Sequence, residues 1–295
     1  MKPLRYIIGL CIILFALVVG LHSVSQNDAA AKNDVIVSAS NVADAFGEEG
    51  ITLYPGHDFL AEEYTINQTR PATYNFEGTG EKLFVYAFPS IDKRDEAIAA
   101  IYNGQGLGEG FIRLQEAGKY VFTPLQAKNL LMFYIVEYDP SAAKDIATTA
   151  EVRKFQQTYA PNSEKSREAV YKINQGVSEY YYGKGTNWSG KVILKHYQYS
   201  WIDENGVEQS EGWHEENIRV KYLGANPDSV KSLECMYTGP GGAGRGEFEF
   251  DGSFVDPEGY VELGSNSGEG TLEEDGSYTM TLSWNGLQET FNIVK

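Results

Sequence analysis

Apolar and polar positions follow three successive rhythms along this chain. Behind Lys2 and Arg5, residues Tyr6 to Leu21 form an unbroken apolar run. Between residues 38 and 160, apolar residues recur at helical spacing in some stretches and crowd into short β-branched and aromatic runs in others. From Glu179 onward the period shortens to two, and glycine turns interrupt it every few residues.

The middle segment predicts a two-layer α+β domain over 38–160. Asn41 reads as the N-cap of a helix whose buried face is Val42, Ala45 and Phe46, with Gly50 as its stop. Thr73 to Phe76 and Lys82 to Phe88 read as a hairpin. Ser90 or Asp92 then caps a second helix, carrying Ala97, Ile98 and Ile101, that ends at Gly104. The glycines of Gly104 to Gly110 read as a flexible loop, because a phosphate cradle would have to follow a strand. Tyr120 to Leu125 and Asn129 to Val136 form a second strand pair, the latter so continuously apolar that it belongs inside a sheet. Pro140 and Ser141 open a third helix running to about Tyr159, with Ile146, Val152 and Phe155 as its buried stripe. The order α-β-β-α-β-β-α implies one sheet with helices on a face.

Residues 161–178 read as a linker. Residues 179–295 carry seven or eight short strands and almost no helical period, which predicts an all-β sandwich, immunoglobulin-like or Greek-key, with a barrel as the other way to arrange such strands. Asp203-Glu204-Asn205-Gly206, Asp275-Gly276 and Asn285-Gly286 have the chemistry of type I′ hairpin turns, the last two joining the strands Tyr278–Trp284 and Leu287–Val294 on either side.

The apolar run addresses the chain to a membrane. A spanning helix needs about 20 apolar residues and a secretory signal about 7 to 15, and this run falls between the two. Residues 1–25 are therefore either a signal peptide, cut near Ser25 or Ala31, or a membrane anchor through residues 4–24, with 26–37 as a tether. In both cases Lys2 and Arg5 stay in the cytoplasm and the body lies outside. Cys11 sits inside the run, too early for a lipid-attachment cysteine, and reads as one more apolar residue.

Charge narrows the partners. The formal net charge is -17, from 24 Lys+Arg against 41 Asp+Glu. Acid exceeds base on both sides of residue 163, so neither half offers the basic surface that a nucleic acid requires. Cys235 is the one cysteine beyond the leader, which rules out an intramolecular disulfide and a cysteine-rich zinc site in the body. Packed cores must supply the stability.

Candidate chemistry is sparse. Beyond the leader the histidines are His57, His196 and His214, none at helical metal spacing. His196 and His214 flank a hairpin and could converge with Glu215 or Glu216, but strand-borne histidines ordinarily face solvent, so neither metal nor cofactor is expected. No Gly-x-Ser-x-Gly elbow occurs, and Cys235 alternates with Val230, Leu233 and Met236 as a packing residue. Asp203 to Gly206 resembles half a calcium loop but lacks its helices and twelfth-position Glu. The glycine loop Gly239 to Gly246, with Pro240 and Arg245, has a strand after it and reads as a tight, mobile connection.

Aromatic side chains leave room for a binding role. Tyr197, Tyr199 and Trp201 alternate along a strand and share one face. A two-residue turn at Asn205-Gly206 would set Trp213 opposite Gln198 and turn it away from Trp201. Tyr197, Tyr199, Trp201 and Trp213 are the candidate ligand platform, with core packing as the competing use of the same rings.

Four segments also carry a resemblance: Tyr182-Gly183-Lys184-Gly185-Thr186-Asn187-Trp188, Ile218-Arg219-Val220-Lys221-Tyr222-Leu223-Gly224, Gly239-Pro240-Gly241-Gly242-Ala243-Gly244-Arg245-Gly246, and Trp284-Asn285-Gly286-Leu287-Gln288-Glu289-Thr290-Phe291. Their order resembles an uncharacterised β-domain of secreted and lipoprotein-like proteins of spore-forming, Bacillus-like Gram-positive bacteria, over residues 179–295. Lys184 and Thr186 depart from that family's first motif, and the lipobox cysteine is missing. Residues 40–160 more loosely resemble small extracytoplasmic proteins of the same bacteria. The resemblance implies an all-β fold and a cell-surface location, and brings no catalytic residues. The expectation is a non-enzymatic, membrane-tethered binding module whose partner is a wall polymer or surface protein. The alternatives are a carboxylate-dependent cell-wall hydrolase and a structural or sensory ectodomain without a pocket.

Overall fold

The computed structural model describes residues 36–141, 149–249, 258–270, 272 and 276–295, without the side chains of 149, 150, 152 and 153. The leader, most of the tether, Ile146, the Val152 side chain and Asp275 lie outside the described residues. Among the described residues, no helix is long and apolar enough to cross a membrane.

The first part of the chain runs α1 (Ala39–Glu48), β1 (Leu53–Pro55), β2 (Ala72–Phe76), β3 (Lys82–Ala87), α2 (Ile91–Tyr102), α3 (Glu109–Ala117), β4 (Tyr120–Ala127), β5 (Leu130–Glu137), α4 (Thr149–Tyr159) and α5 (Ser163–Ile173). Its strands form one antiparallel sheet in the order β1-β2-β3-β5-β4. As expected, β5 lies inside that sheet. Leu83 and Val85 pack with Val42 and Phe46 of α1 and Val170 of α5, whereas Phe84 and Tyr86 pack with Ala97 of α2 and Phe111 of α3. The sheet therefore has helices on both faces, and the expected two layers are three. The reason is visible in β3, where Leu83, Phe84, Val85 and Tyr86 are all apolar and a one-sided cover would leave half of them in water.

Three further expectations change here. Residues 161–178 hold α5, whose Ala169, Val170 and Ile173 join the core, so most of that stretch is no linker. Ser38 precedes α1 as its N-cap, and Asn41 at the third helical position accepts the Ser38 N–H at 3.0 Å through Oδ1. Gly108 caps α3, and Glu109 and Gly110, the last two residues of the expected loop, lie within the helix. A Cβ on Gly110 would stand 2.6 Å from the Tyr64 ring, and this close approach is why glycine sits there.

The remaining strands are β6 (Val177–Lys184), β7 (Trp188–Ile202), β8 (Glu208–Tyr222), β9 (Ser232–Gly239), β10 (Gly242–Glu249), β11 (Val261–Glu269), β12 (Tyr278–Trp284) and β13 (Leu287–Val294). All eight join a single antiparallel sheet in the order β10-β9-β12-β13-β6-β7-β8-β11. Its end strands β10 and β11 approach each other with no ladder between them among the described residues, so the sheet curls nearly into a barrel. Among the described residues, the expected two-sheet sandwich is not formed. β7 and β8 pair without interruption over 15 residues each, and so long a ladder ties both halves into one surface. Its interior is packed around Trp188, Val192, Leu194, Val220, Leu282 and Trp284, the two tryptophan rings meeting edge-on at 5.6 Å.

Candidate functional site

Inward positions on β8 follow the period of two. Gly212, His214, Glu216, Ile218 and Val220 are buried, while the residues between them are partly exposed. His214 is 8% exposed and Glu216 0%, so the solvent-facing expectation for His214 is corrected: an alternation shared with Ile218 and Val220 carries both polar residues into the barrel. Glu215 alternates out of the interior. His196 on β7 pairs directly with His214, half-buried, and His57 is exposed.

The expected mobile glycine loop is a strand pair. β9 and β10 are joined by the two-residue turn Pro240-Gly241, and this turn is held from inside the barrel. The Gly241 N–H donates to Glu216 Oε1 at 3.0 Å, and the Gly241 carbonyl lies 3.1 Å from His214 Nε2. A carbonyl only accepts, so Nε2 bears a proton at this contact. Tyr278 donates its hydroxyl to Glu216 Oε1 at 2.7 Å. Burial, and then the hydrogen bond to the Glu216 carboxylate, push the Tyr278 phenol far above its ordinary range. Side-chain bulk is excluded at this turn, since a Cβ on Gly241 would strike Glu216 and one on Gly239 the Tyr278 ring.

Three buried polar atoms in this region have no hydrogen-bond partner: Glu216 Oε2, His214 Nδ1 and His196 Nε2. Below them along β8 lies a cavity of about 230 Å³, lined by Ile218, Cys235, Tyr237, Phe248, Leu263 and Asn266 among others. It sits where β10 faces β11. Asn266 opposes Glu216 in the β8–β11 register, and the Glu216 carboxylate adds to burial in raising the Tyr237 phenol, but Glu216 and His214 themselves do not line the cavity. Burial also pushes the Cys235 thiol up to about 12, which leaves it a packing residue, as the alternation predicts. Among the described residues, no group of three His, Cys, Asp or Glu side chains could hold a metal ion.

The aromatic candidates lie on the opposite, outer face of β7–β8. Tyr197 stacks on Tyr199 at 6.1 Å and on Trp213 at 5.8 Å, and Tyr199 tilts against Trp201. Trp213 therefore points the same way as the other three. The loop is five residues, Asp203 to Val207, with Ile202 opposite Glu208, which puts Trp213 opposite Tyr197 rather than Gln198, and this one-residue shift in register reverses the facing of every residue on β8. Tyr199 is 5% exposed and meets Arg94 of α2, Trp201 Nε1 donates to Asp92 at 2.9 Å, and Trp213 lies against Tyr171 of α5. The four rings are brought together where the barrel meets the helices, with Tyr197, Trp201 and Trp213 half-buried.

The sequence signal for the buried pair His214 and Glu216 is their alternation with Ile218 and Val220. A scan of the chain against protein-family models finds no match, and a search of the curated proteins finds none.

Proposed function

We propose that this chain is a non-enzymatic binding module held on the outer side of a bacterial membrane by its N-terminal apolar run. The binding site is the barrel cavity beneath Glu216. One observation carries this reading: a cavity of about 230 Å³ opens at the seam of the sheet, next along β8 to Glu216, whose second carboxylate oxygen is buried without a hydrogen-bond partner. Buried polar groups are ordinarily satisfied, and a cluster that is not is a place where another molecule completes the bonding. The partner is a cell-surface molecule small enough, or presenting a group small enough, to enter. The likeness of residues 179–295 to surface-exposed β-domains of Gram-positive bacteria and the cationic-then-apolar leader support the location.

The test uses the full-length protein. Fractionation with N-terminal sequencing reports whether the chain is anchored through residues 4–24 or cut near Ser25 or Ala31. Retention on isolated peptidoglycan and surface polymers, weakened in Glu216→Gln, supports the binding module. Wall-degrading activity that disappears in Glu216→Gln would replace it with the hydrolase reading.

A further inference from the structure

We infer that the outer face of β6–β7–β8 binds a phosphodiester-linked sugar chain, with phosphates received by Lys184, Lys191, Arg219 and Lys221 and a sugar ring laid on Tyr182. This is a second surface, outside the barrel wall, and it goes beyond the site assigned to the barrel interior.

Register and alternation set these residues side by side. One outward row across the three strands is Lys184, Ser189 and Lys221, and the next is Tyr182, Lys191 and Arg219, with Glu262 of β11 opposite Arg219. The residues that alternate with them, Tyr181, Val192 and Val220, are buried in the barrel, so both rows leave on the solvent side. Adjacent strands lie ~5 Å apart and residues two apart on a strand ~7 Å, so the four cations occupy one patch about 10 Å across.

That patch runs against the charge of the chain. Four cations face one carboxylate in these rows, in a protein of net charge -17. Arg219 lies 3.7 Å from Glu262, but Lys184, Lys191 and Lys221 form no ion pair among the described residues. Lys191 Nζ sits 5.8 Å from the centre of the Tyr182 ring, and Lys221 Nζ donates to the Glu258 carbonyl at 2.7 Å. Ammonium groups gathered without counter-charge repel one another, and an anion placed among them reverses the sign of that interaction. Phosphate suits the arrangement better than carboxylate, because its oxygens diverge toward cations on separate strands and match a guanidinium beside them.

The aromatic side of the patch supplies the rest. Tyr180 and Tyr182 are 51% and 52% exposed, and Val294 of β13 opposes Tyr182, also exposed. An open ring face next to cations fits a chain in which sugar and phosphate alternate, the apolar face of the sugar stacking where the charge is absent. Extent decides against broader polyanions. The patch is little wider than the screening length of ~8 Å in physiological salt, and a nucleic acid or an anionic bilayer needs a basic face that continues past it. A thin chain crossing the patch does not.

Calorimetric titration of the full chain with a phosphodiester-linked hexose oligomer tests this, beside the neutral oligomer of the same hexose, polyglutamate, single-stranded DNA and phosphatidylglycerol vesicles. Expected are saturable binding of the phosphodiester oligomer, weakened by added salt, and at least tenfold weaker binding of the neutral oligomer and of polyglutamate. The double variant Lys184→Gln with Lys191→Gln should lose at least tenfold, and Lys184→Arg with Lys191→Arg should retain the affinity, which separates loss of charge from loss of fold. Tyr182→Ala should lose about threefold or more. Equal affinity for the neutral oligomer, no effect of the lysine variant, or tighter lysine-dependent binding of DNA or of the vesicles overturns the assignment. Oligomer binding that Glu216→Gln abolishes and the lysine variant leaves intact places the chain in the cavity and sinks this surface alone; binding lost with the lysines and untouched by Glu216→Gln supports this surface whatever becomes of the cavity.

Discussion

Glu289 Oε2 accepts the backbone N–H of Asn187 at 2.9 Å, and the same carboxylate receives the N–H of Thr186 through Oε1. This joins the turn that opens β7 to the last strand, and so brings the first and last of the four family-like segments into contact. Gly185 makes room for it, because a Cβ there would collide with the Glu289 carboxylate. Glu289→Gln should cost about 1.5–3 kcal/mol, the worth of hydrogen bonds to a charged acceptor. Gly185→Val should cost at least about 1–3 kcal/mol by overpacking. Urea denaturation of the two variants measures both.

Arg94 is the fastening between the helical layer and the barrel. It is 1% exposed, its Nη2 lies 2.6 Å from Glu211 Oε2 of β8 and 2.7 Å from Asp95, and its Nη1 also reaches the Lys128 carbonyl. Removing Arg94 leaves Glu211 and Asp95 without their cation, and because solvent partly reaches both, Arg94→Ala should destabilise by up to about 3 kcal/mol, the lower end for a buried pair. The double variant Arg94→Met with Glu211→Leu should recover part of that loss. Tryptophan fluorescence during denaturation reports it, since Trp201 and Trp213 sit at the same junction.

The turn Asn285-Gly286 carries φ of 48° and 76°, the paired positive values of a type I′ hairpin. Gly286→Ala introduces a Cβ into a left-handed conformation and should cost about 1–2 kcal/mol. Asn285→Gly should be nearly neutral by the same measure.

Acid should weaken the β7–β8 loop through Asp203. The Val207 N–H, reinforced by Gln209 and Asn205, holds the Asp203 carboxyl below its ordinary value. A depressed carboxyl contributes stability that is present in full above its unfolded pKa and is lost as pH falls through its folded one. The melting temperature of Asp203→Asn should therefore trail the native protein by a constant amount above about pH 5 and converge on it below about pH 4.

Cys235 should resist thiol reagents. It is 2% exposed and its thiol is pushed up to about 12, so an aromatic disulfide reagent at pH 8 should modify the folded chain negligibly and the urea-unfolded chain fully.

Local chemistry was legible wherever one stretch of residues settles its own conformation. Gly50 and Gly104 end helices, Ser90 caps one, and Asn285-Gly286 turns a hairpin, because each acts on backbone atoms within a few residues. The eight strands after residue 176, their alternation and the burial of Cys235 were legible for the same reason. Less readable were features with two local solutions: Asp203 to Val207 closes over five residues because the Asp203 carboxylate binds two backbone N–H groups, and that choice alone set which way Trp213 faces.

Hydrophobic period and turn chemistry thus determined, from the sequence by itself, a helix-and-strand part followed by an all-strand part. Tertiary structure alone decided that helices cover both faces of the first sheet, that the second sheet is a single curling surface, and that the aromatic row serves the junction between them. It also decided that His214 and Glu216 meet Gly241 across 25 residues of chain or more. The physical reason is that pattern specifies which side of an element is buried, whereas what lies against that side is set by packing among distant segments.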